Sequence, residues 1–495
     1  MRPFRQQLEH HIYSTTPRYQ GVIQKHLCVV KSYFMNLDKL KIMRKNDNKW
    51  LVLIAIGTGS FMAALDGSVV NIILPILRTA FHSDVAGIEW VVTIYLLVIS
   101  GFLLTFGRLG DIKGHKSIYV WGFIIFVLGS MLCGASWSTS SLILFRGFQA
   151  IGGAMLASNS PAIVTYSFPP DQRGKAFGLV STMTYLGLSV GPSLGGWLTQ
   201  TYGWRTVFYI NVPVGVLALV LSMLNIPKDS HIEEKQPFDL SGAIIFMIGL
   251  VALMLGLNKG ADWGWTSPLA VGSIIGAISL LFLFIIIEKR NTAPMLDLSL
   301  FKIPLFSTSA ANAILNYICV FSLIFLMPFY LIQGRGLNPA QAGLLLTSQP
   351  VIMAIFAPIS GALSDRFGSR RPGIIGMGLL AVGLFILSTI GQNTSLWLVG
   401  LGLAISGAGT GIFISPNTSA LMGSSPKSRQ GIASGVQAEA RSIGMVLGIG
   451  LAGAIFTTHL AINSTNSLFA GIDMGFRVAS LVALMGIVVS AIKEK

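Results

Sequence analysis

Of the 19 acidic side chains in this 495-residue sequence, two, Asp66 and Glu439, fall well inside long apolar stretches, and Arg146 and Arg441 share that setting. A charge at bilayer depth costs roughly 2.5–3.5 kcal/mol even on the mildest scale, so such residues face a bundle interior and act there. A carboxyl group in that position can take up and release a proton as its surroundings change, which is the chemistry of a proton carrier. An arginine cannot shed its charge, so Arg146 requires an acidic or carbonyl partner. Asp66 is the economical candidate: protonating it would weaken the pairing and free the helices to move. Gln149 and Gly153 follow Arg146 at i+3 and i+7, on one helix face. Glu439 and Arg441, two residues apart, point to nearly opposite sides of their helix. Glu439 is open to two readings: a second proton or cation site, or a residue snorkelling near the cytoplasmic third.

The elements that position these residues are membrane helices. Of the residues, 53% are hydrophobic and only 11% charged, whereas about a quarter are charged in soluble domains. Apolar runs of roughly twenty residues predict fourteen spans, at 50–77, 88–107, 117–137, 140–167, 175–198, 205–226, 239–258, 268–287, 304–331, 339–363, 373–391, 395–416, 430–457 and 475–491. The net charge of +15 invites a nucleic-acid reading that its placement rejects. Most of the 34 Lys and Arg fall in the N-terminal tail, the even-numbered loops and the C-terminus, with Arg78, Arg205, Lys259, Arg335 and Arg477 on the opposite side. This is the positive-inside pattern, so both termini are expected in the cytoplasm and the partner is the lipid bilayer, not nucleic acid.

Two loops repeat. GRLGDIKGHK at 107–116 and GALSDRFGSR at 361–370 share G-x-L-x-D-x-x-G at an offset of 254 residues. Gly107, Asp111 and Gly114 thus match Gly361, Asp365 and Gly368, the glycines allowing tight turns. Each acid is expected to act as a latch, accepting bonds from a helix N-terminus or an Arg of the opposite bundle in one state only. The expected division is a basic tail at 1–48, a six-helix bundle at 49–226, a linker with two inserted helices at 227–303, and a second six-helix bundle at 304–495. A third pattern runs from Gly178 to Trp197: G, eight residues, G, three residues, GP, two residues, GG. Gly187, Gly191 and Gly195 recur every fourth residue and form a bare stripe that lets another helix approach closely, with Pro192 expected to add a kink.

These motifs resemble those of the major facilitator superfamily. The paired loops resemble its signature loop, the glycine stripe resembles its antiporter motif, and Arg146 and Gln149 resemble R-x-x-Q-G, with Ala150 in place of glycine. LDGSVVNIILP around Asp66 is similar to the first-helix motif of fourteen-helix drug:proton antiporters of the QacA/EmrB type. Arg441, Gly444 and Gly448 resemble their R-x-x-G-x-x-x-G segment, and WRTVFYINVPVG resembles their entry to the sixth helix. The resemblance implies two bundles rocking about a midplane cavity, with inward proton flow driving export. Gln149 and Gln349 are expected to line that cavity. With Asp66 committed to protons, at most Glu439 could balance a bound cation, which predicts a lipophilic substrate that is monocationic or neutral. The alternative is an exporter of the same fold dedicated to one metabolite, such as a siderophore, amino acid, fatty acid or antibiotic product.

Other classes find no support. Cys28, Cys133 and Cys319 are too scattered for a disulfide framework or metal cluster, and the seven histidines show no ligand spacing. No P-loop spacing appears, and no cofactor or catalytic cluster is expected. Residues 1–48 are polar and basic, open to readings as a disordered arm, a membrane-surface segment or an overlong translation start. The expected location is the cell membrane, with an adaptor protein as a further partner where the host has an outer membrane.

Overall fold

The structure, a computed structural model, describes residues 49–491 except 71–72, 75, 84, 228–238, 265, 292–293, 295, 338 and 461–466. The expected tail at 1–48, Asn71 and Pro75 lie outside the described residues, as do the side chains of Pro192 and Asp262. Residues 52–495 form one compact unit, separate from 1–51, of which only 49–51 are described; the unit from 52 onward is described below.

The chain is helical throughout its described length, with no strand among the described residues. In chain order the long helices are α1 (Lys49–Val70), α2 (Val85–Lys113), α3 (His115–Gly134), α4 (Thr139–Ser167), α5 (Arg173–Tyr202), α6 (Thr206–Asn225), α7 (Leu240–Trp263), α8 (Pro268–Arg290), α9 (Pro304–Gly334), α10 (Pro339–Phe367), α11 (Arg370–Ser388), α12 (Leu396–Ser424), α13 (Gln430–Leu460) and α14 (Ser467–Ala491). Twelve of them are long and apolar enough to cross a membrane among the described residues. The two that differ from the fourteen-span expectation are α5 and α7. In α5 the glycines, serines and threonines that permit close packing also dilute its apolar character. α7 itself runs 24 residues, Leu240–Trp263, and is counted only over Leu240–Gly256, where its side chains are described without a break.

The outer surface is apolar. Leu144, Leu224, Leu344, Leu481 and Val488 are all exposed, an arrangement that water penalises and hydrocarbon does not. The most outward helix is α8, with 17% of its apolar window buried. It packs on α7, and α7 in turn lies against both α2 and α13. Those two helices pack on each other, and α5 packs likewise on α10. The molecule therefore has two seams, α2–α13 and α5–α10, each joining an early helix to a late one.

The glycine stripe of α5 serves two partners. A Cβ at Gly187 would lie 2.6 Å from the Phe61 carbonyl oxygen, one at Gly195 would lie 2.6 Å from Val69 Cγ1, and one at Gly191 would collide with Ser68 Oγ. These three positions seat α5 on α1 on either side of Asp66. Further toward its start, a Cβ at Gly178 would lie 2.5 Å from Pro358 Cα, which seats α5 on α10. Gly196 is outside the stripe: no atom lies within 4 Å of its Cβ position.

This difference makes a paired test. Gly191→Leu should destabilise the protein by about 1–3 kcal/mol, the usual cost of overpacking, and lower its thermal unfolding midpoint in detergent. Gly196→Leu should leave the midpoint unchanged. Equal midpoints for the two variants would show that helix approach at the stripe is not what Gly191 provides.

Candidate functional site

The site is built on five helices, α1, α2, α3, α4 and α6. α4 begins at a reciprocal cap, in which Ser138 Oγ accepts from Ser141 N at 3.1 Å and Ser141 Oγ accepts from Ser138 N at 3.0 Å. Two turns later Arg146 points inward, 1% exposed, toward Asp66 on α1, itself 2% exposed. Arg146 Nη1 donates to Asp66 Oδ2 at 2.7 Å. The other carboxylate oxygen, Oδ1, accepts from Gln149 Nε2 at 3.0 Å and from Asn211 Nδ2, on α6, at 2.7 Å. Arg146 also donates to Gln149 Oε1 at 2.7 Å and to the Val91 carbonyl at 3.3 Å. Its guanidinium carbon stands 4.0 Å from the centroid of the Tyr95 ring, a cation–π contact. Gln149 Nε2 donates further to Ser130 Oγ, on α3, at 2.7 Å. A buried ion pair is favourable only when its remaining hydrogen-bonding capacity is met, and here α1, α3, α4 and α6 supply it together with the Val91 carbonyl of α2.

Two expectations change. Gln149, expected to line a cavity, is fully buried with its amide divided among Asp66, Arg146 and Ser130, so it belongs to the ion pair. Its companion Gln349 is 5% exposed, at the close approach of Gly407 to its backbone, and is not joined to this network. Asn211 was not anticipated. The signal for it was an amide in YINVPVG, where an apolar span begins.

Glu439 and Arg441 part company on α13. Glu439 is 5% exposed, and neither carboxylate oxygen has a hydrogen-bond partner among the described residues. Snorkelling requires access to the surface, so burial removes that reading. Arg441 is exposed, with its guanidinium carbon 5.9 Å from the centroid of the Tyr317 ring.

The repeated loops meet the far helices. Asp111 accepts from the backbone N–H groups of Gly431 at 2.8 Å and Ile432 at 3.1 Å, at the start of α13. Asp365 accepts from those of Gly174 at 2.7 Å and Lys175 at 3.0 Å, at the start of α5. Each carboxylate therefore satisfies donors that a helix N-terminus leaves open, and sits where the helix dipole favours negative charge. Gly107 faces Gly431 and Gly361 faces Gly174 so closely that a Cβ on any of the four would strike the opposing backbone. Gly114 and Gly368 have φ of 95° and 79°, a conformation that strains any other residue. His115 is packed into the first of these contacts, with Nδ1 2.7 Å from Asn159 Oδ1 and Nε2 3.4 Å from Asp111 Oδ1. The receiving ends were legible but unread: Pro169, Gly174, Ala176 and Gly178 recur as Pro426, Gly431, Ala433 and Gly435, a second repeat at an offset of 257 residues.

Comparison with known proteins agrees with this architecture. The sequence matches the family described as Major Facilitator Superfamily over residues 56–448 and again over 309–493. It is 32% identical over 447 residues to riboflavin transporter RibZ of Clostridioides difficile, covering 89% of this chain and 97% of that one. It is 33% identical over 417 residues to multidrug resistance protein Stp of Mycobacterium tuberculosis, covering 84% and 77% respectively. The crystal structure of the human organic anion transporter MFSD10 superposes with a TM-score of 0.65 at 15% identity, covering 89% of this chain and 99% of that one.

Replacing both Asp111 and Asp365 by Ala removes two N-terminal partners worth about 0.5–2 kcal/mol each, on the scale of helix capping. Spin labels placed across the α2–α13 and α5–α10 seams near these loops should then report an added population at longer distance. A distance distribution unchanged from wild type would reject the latch.

Proposed function

Since this chain belongs to the Major Facilitator Superfamily, we propose that it is a proton-coupled antiporter that exports lipophilic compounds carrying at most one charge. It is a multi-pass transporter of the cell membrane and not an enzyme. The observation that carries the coupling proposal is the Asp66–Arg146 pair, 2.7 Å apart and cut off from solvent. Protonation of Asp66 cancels the attraction and leaves Arg146 charged, so the network of Gln149 and Asn211 must rearrange. α1 is also the helix on which the glycine stripe of α5 rests. A change at Asp66 is therefore felt at once by α4, α6 and α5, and through α5 by the seam with α10. Glu439 is proposed as a second proton site, because an unpaired charge at this depth costs several kcal/mol and a proton removes it.

The same reading assigns the remaining architecture. All fourteen long helices cross the membrane in the fourteen-helix QacA/EmrB arrangement, with six-helix bundles at 49–226 and 304–495 and α7–α8 inserted between them. Both termini lie in the cytoplasm, as the distribution of Lys and Arg requires. Asp111 and Asp365 then hold the cytoplasmic side shut when engaged, and transport needs both to release. In a host with an outer membrane, an adaptor protein would extend the path.

A second reading keeps the mechanism and narrows the cargo to one metabolite. The similarity to a protein named as a riboflavin transporter favours it, alongside one named for multidrug resistance. Efflux of a panel of amphiphiles separates the two: broad efflux supports the first, and a single transported compound the second.

Asp66→Asn keeps the shape and removes the titration. In inside-out vesicles it should abolish substrate-dependent proton release while expression and membrane insertion remain close to wild type. Proton release at the wild-type rate from this variant would reject Asp66 as the coupling acid.

A further inference from the structure

Arg441 is a charged residue on α13 with no hydrogen bond or ion pair to any described residue, and its side chain is exposed. The Tyr317 ring of α9 has its centroid 5.9 Å from the guanidinium carbon, and Tyr95 of α2 and Tyr185 of α5 lie within electrostatic reach of it. Tyr95 and Tyr185 are each 6% exposed, and a Cβ at Gly444, one turn along α13, would lie 2.6 Å from Tyr317 Cβ. Four helices, two from before the inserted pair and two from after it, thus face one another around Arg441. Its side chain thus has aromatic neighbours on three other helices.

The chemistry of this cluster differs from that of the Asp66 site. Arg146 is saturated: it is 1% exposed, paired with Asp66 and stacked on Tyr95. The acid nearest in sequence to Arg441, Glu439, is buried and forms no ion pair among the described residues. None of the three tyrosine hydroxyls donates to a described protein group in this structure. Among the described residues this cluster therefore holds one positive charge free of an ion pair, the half-buried Tyr317 ring, two buried tyrosines of which Tyr95 already carries Arg146 on its ring, and three hydroxyls that donate to no described group. A guanidinium binds carboxylates and other planar oxyanions through its fork of N–H donors, and it stacks on aromatic faces. Aromatic rings receive planar conjugated molecules through offset or edge contacts.

We propose that Arg441, Tyr95, Tyr185 and Tyr317 form a substrate subsite for planar aromatic compounds that carry a single acidic group, such as a carboxylate or an ionised phenol or enol. The proposal rests on the exporter reading and gives its substrate a sign. It gives the opposite sign to the expectation of a monocationic or neutral substrate, in which Glu439 is the available counter-charge. Tyr95 lies under Arg146 and beside Arg441, so the subsite and the proton site share one ring.

The test is a binding measurement on the full-length protein in nanodiscs, using two dyes on the same xanthene ring: fluorescein methyl ester, singly anionic above neutral pH, and rhodamine 123, singly cationic. Fluorescence polarisation at pH 8 should show the anion binding at least tenfold more tightly than the cation. Arg441→Gln should remove most of that preference, Arg441→Lys should keep part of it, and Tyr317→Leu should weaken both dyes. Equal affinities, a preference for rhodamine 123, or no binding of the anion by the wild-type protein would overturn the proposal, and none of these outcomes depends on a variant folding. Proton-driven transport of each dye, followed in parallel in inside-out vesicles, reports on the exporter reading separately. Anion-selective binding without proton-driven transport would preserve the subsite and sink the coupling.

Discussion

The Asp66–Arg146 ion pair sets terms that the surrounding helices must meet. Neither charge is tolerable alone at this depth, and even together they lose most of what water gave them. The deficit is made up by Gln149, Asn211, the Val91 carbonyl and the Tyr95 ring. α1, α2, α4 and α6 must therefore converge on one point, and α3 joins them because Gln149 is itself held by Ser130. Removing either charge would leave the other buried and unpaired, typically a loss of about 3–5 kcal/mol. A group that gains and loses a proton at such a point changes the strength of every contact that meets there.

Convergence on that point requires thin helices. α5 can lie against α1 beside Asp66 only because Gly187, Gly191 and Gly195 present backbone where other residues would present side chains. The same device recurs at the loop end, where Gly107 meets Gly431 and Gly174 meets Gly361. There, close approach lets a carboxylate from one helix reach the first N–H groups of another. The two contacts are equivalent in kind: an acid at the end of one helix caps the start of a helix from the other part of the chain.

Much of this could be read in the residues. Asp66 and Arg146 stood out because charge inside an apolar span is expensive, and their pairing follows from the same cost. Asp111 and Asp365 stood out because the loop repeats. Asn211 did not, because an amide near the start of a span carries no charge penalty that would flag it. Gln149 was assigned to a cavity because its spacing from Arg146 gives a shared face but does not say whether that face meets a cavity or another helix. The glycine stripe announced a close neighbour without naming it, since any helix can occupy a bare face.

The sequence alone determined the class of the molecule, the approximate positions of its helices, and that Asp66, Arg146 and Glu439 are interior. Those properties are local: they follow from apolar length, residue cost at depth, and the period of a helix. Tertiary structure alone decided which helix meets which, and with that which of the deep charges are paired, buried or exposed. Glu439 and Arg441 are two residues apart, and nothing in that spacing says which of them is buried and which exposed. Only the rotation of α13, set by Gly435 against α2 and by Gly444 and Gly448 against α9, turns Glu439 into the packing and leaves Arg441 among the tyrosines.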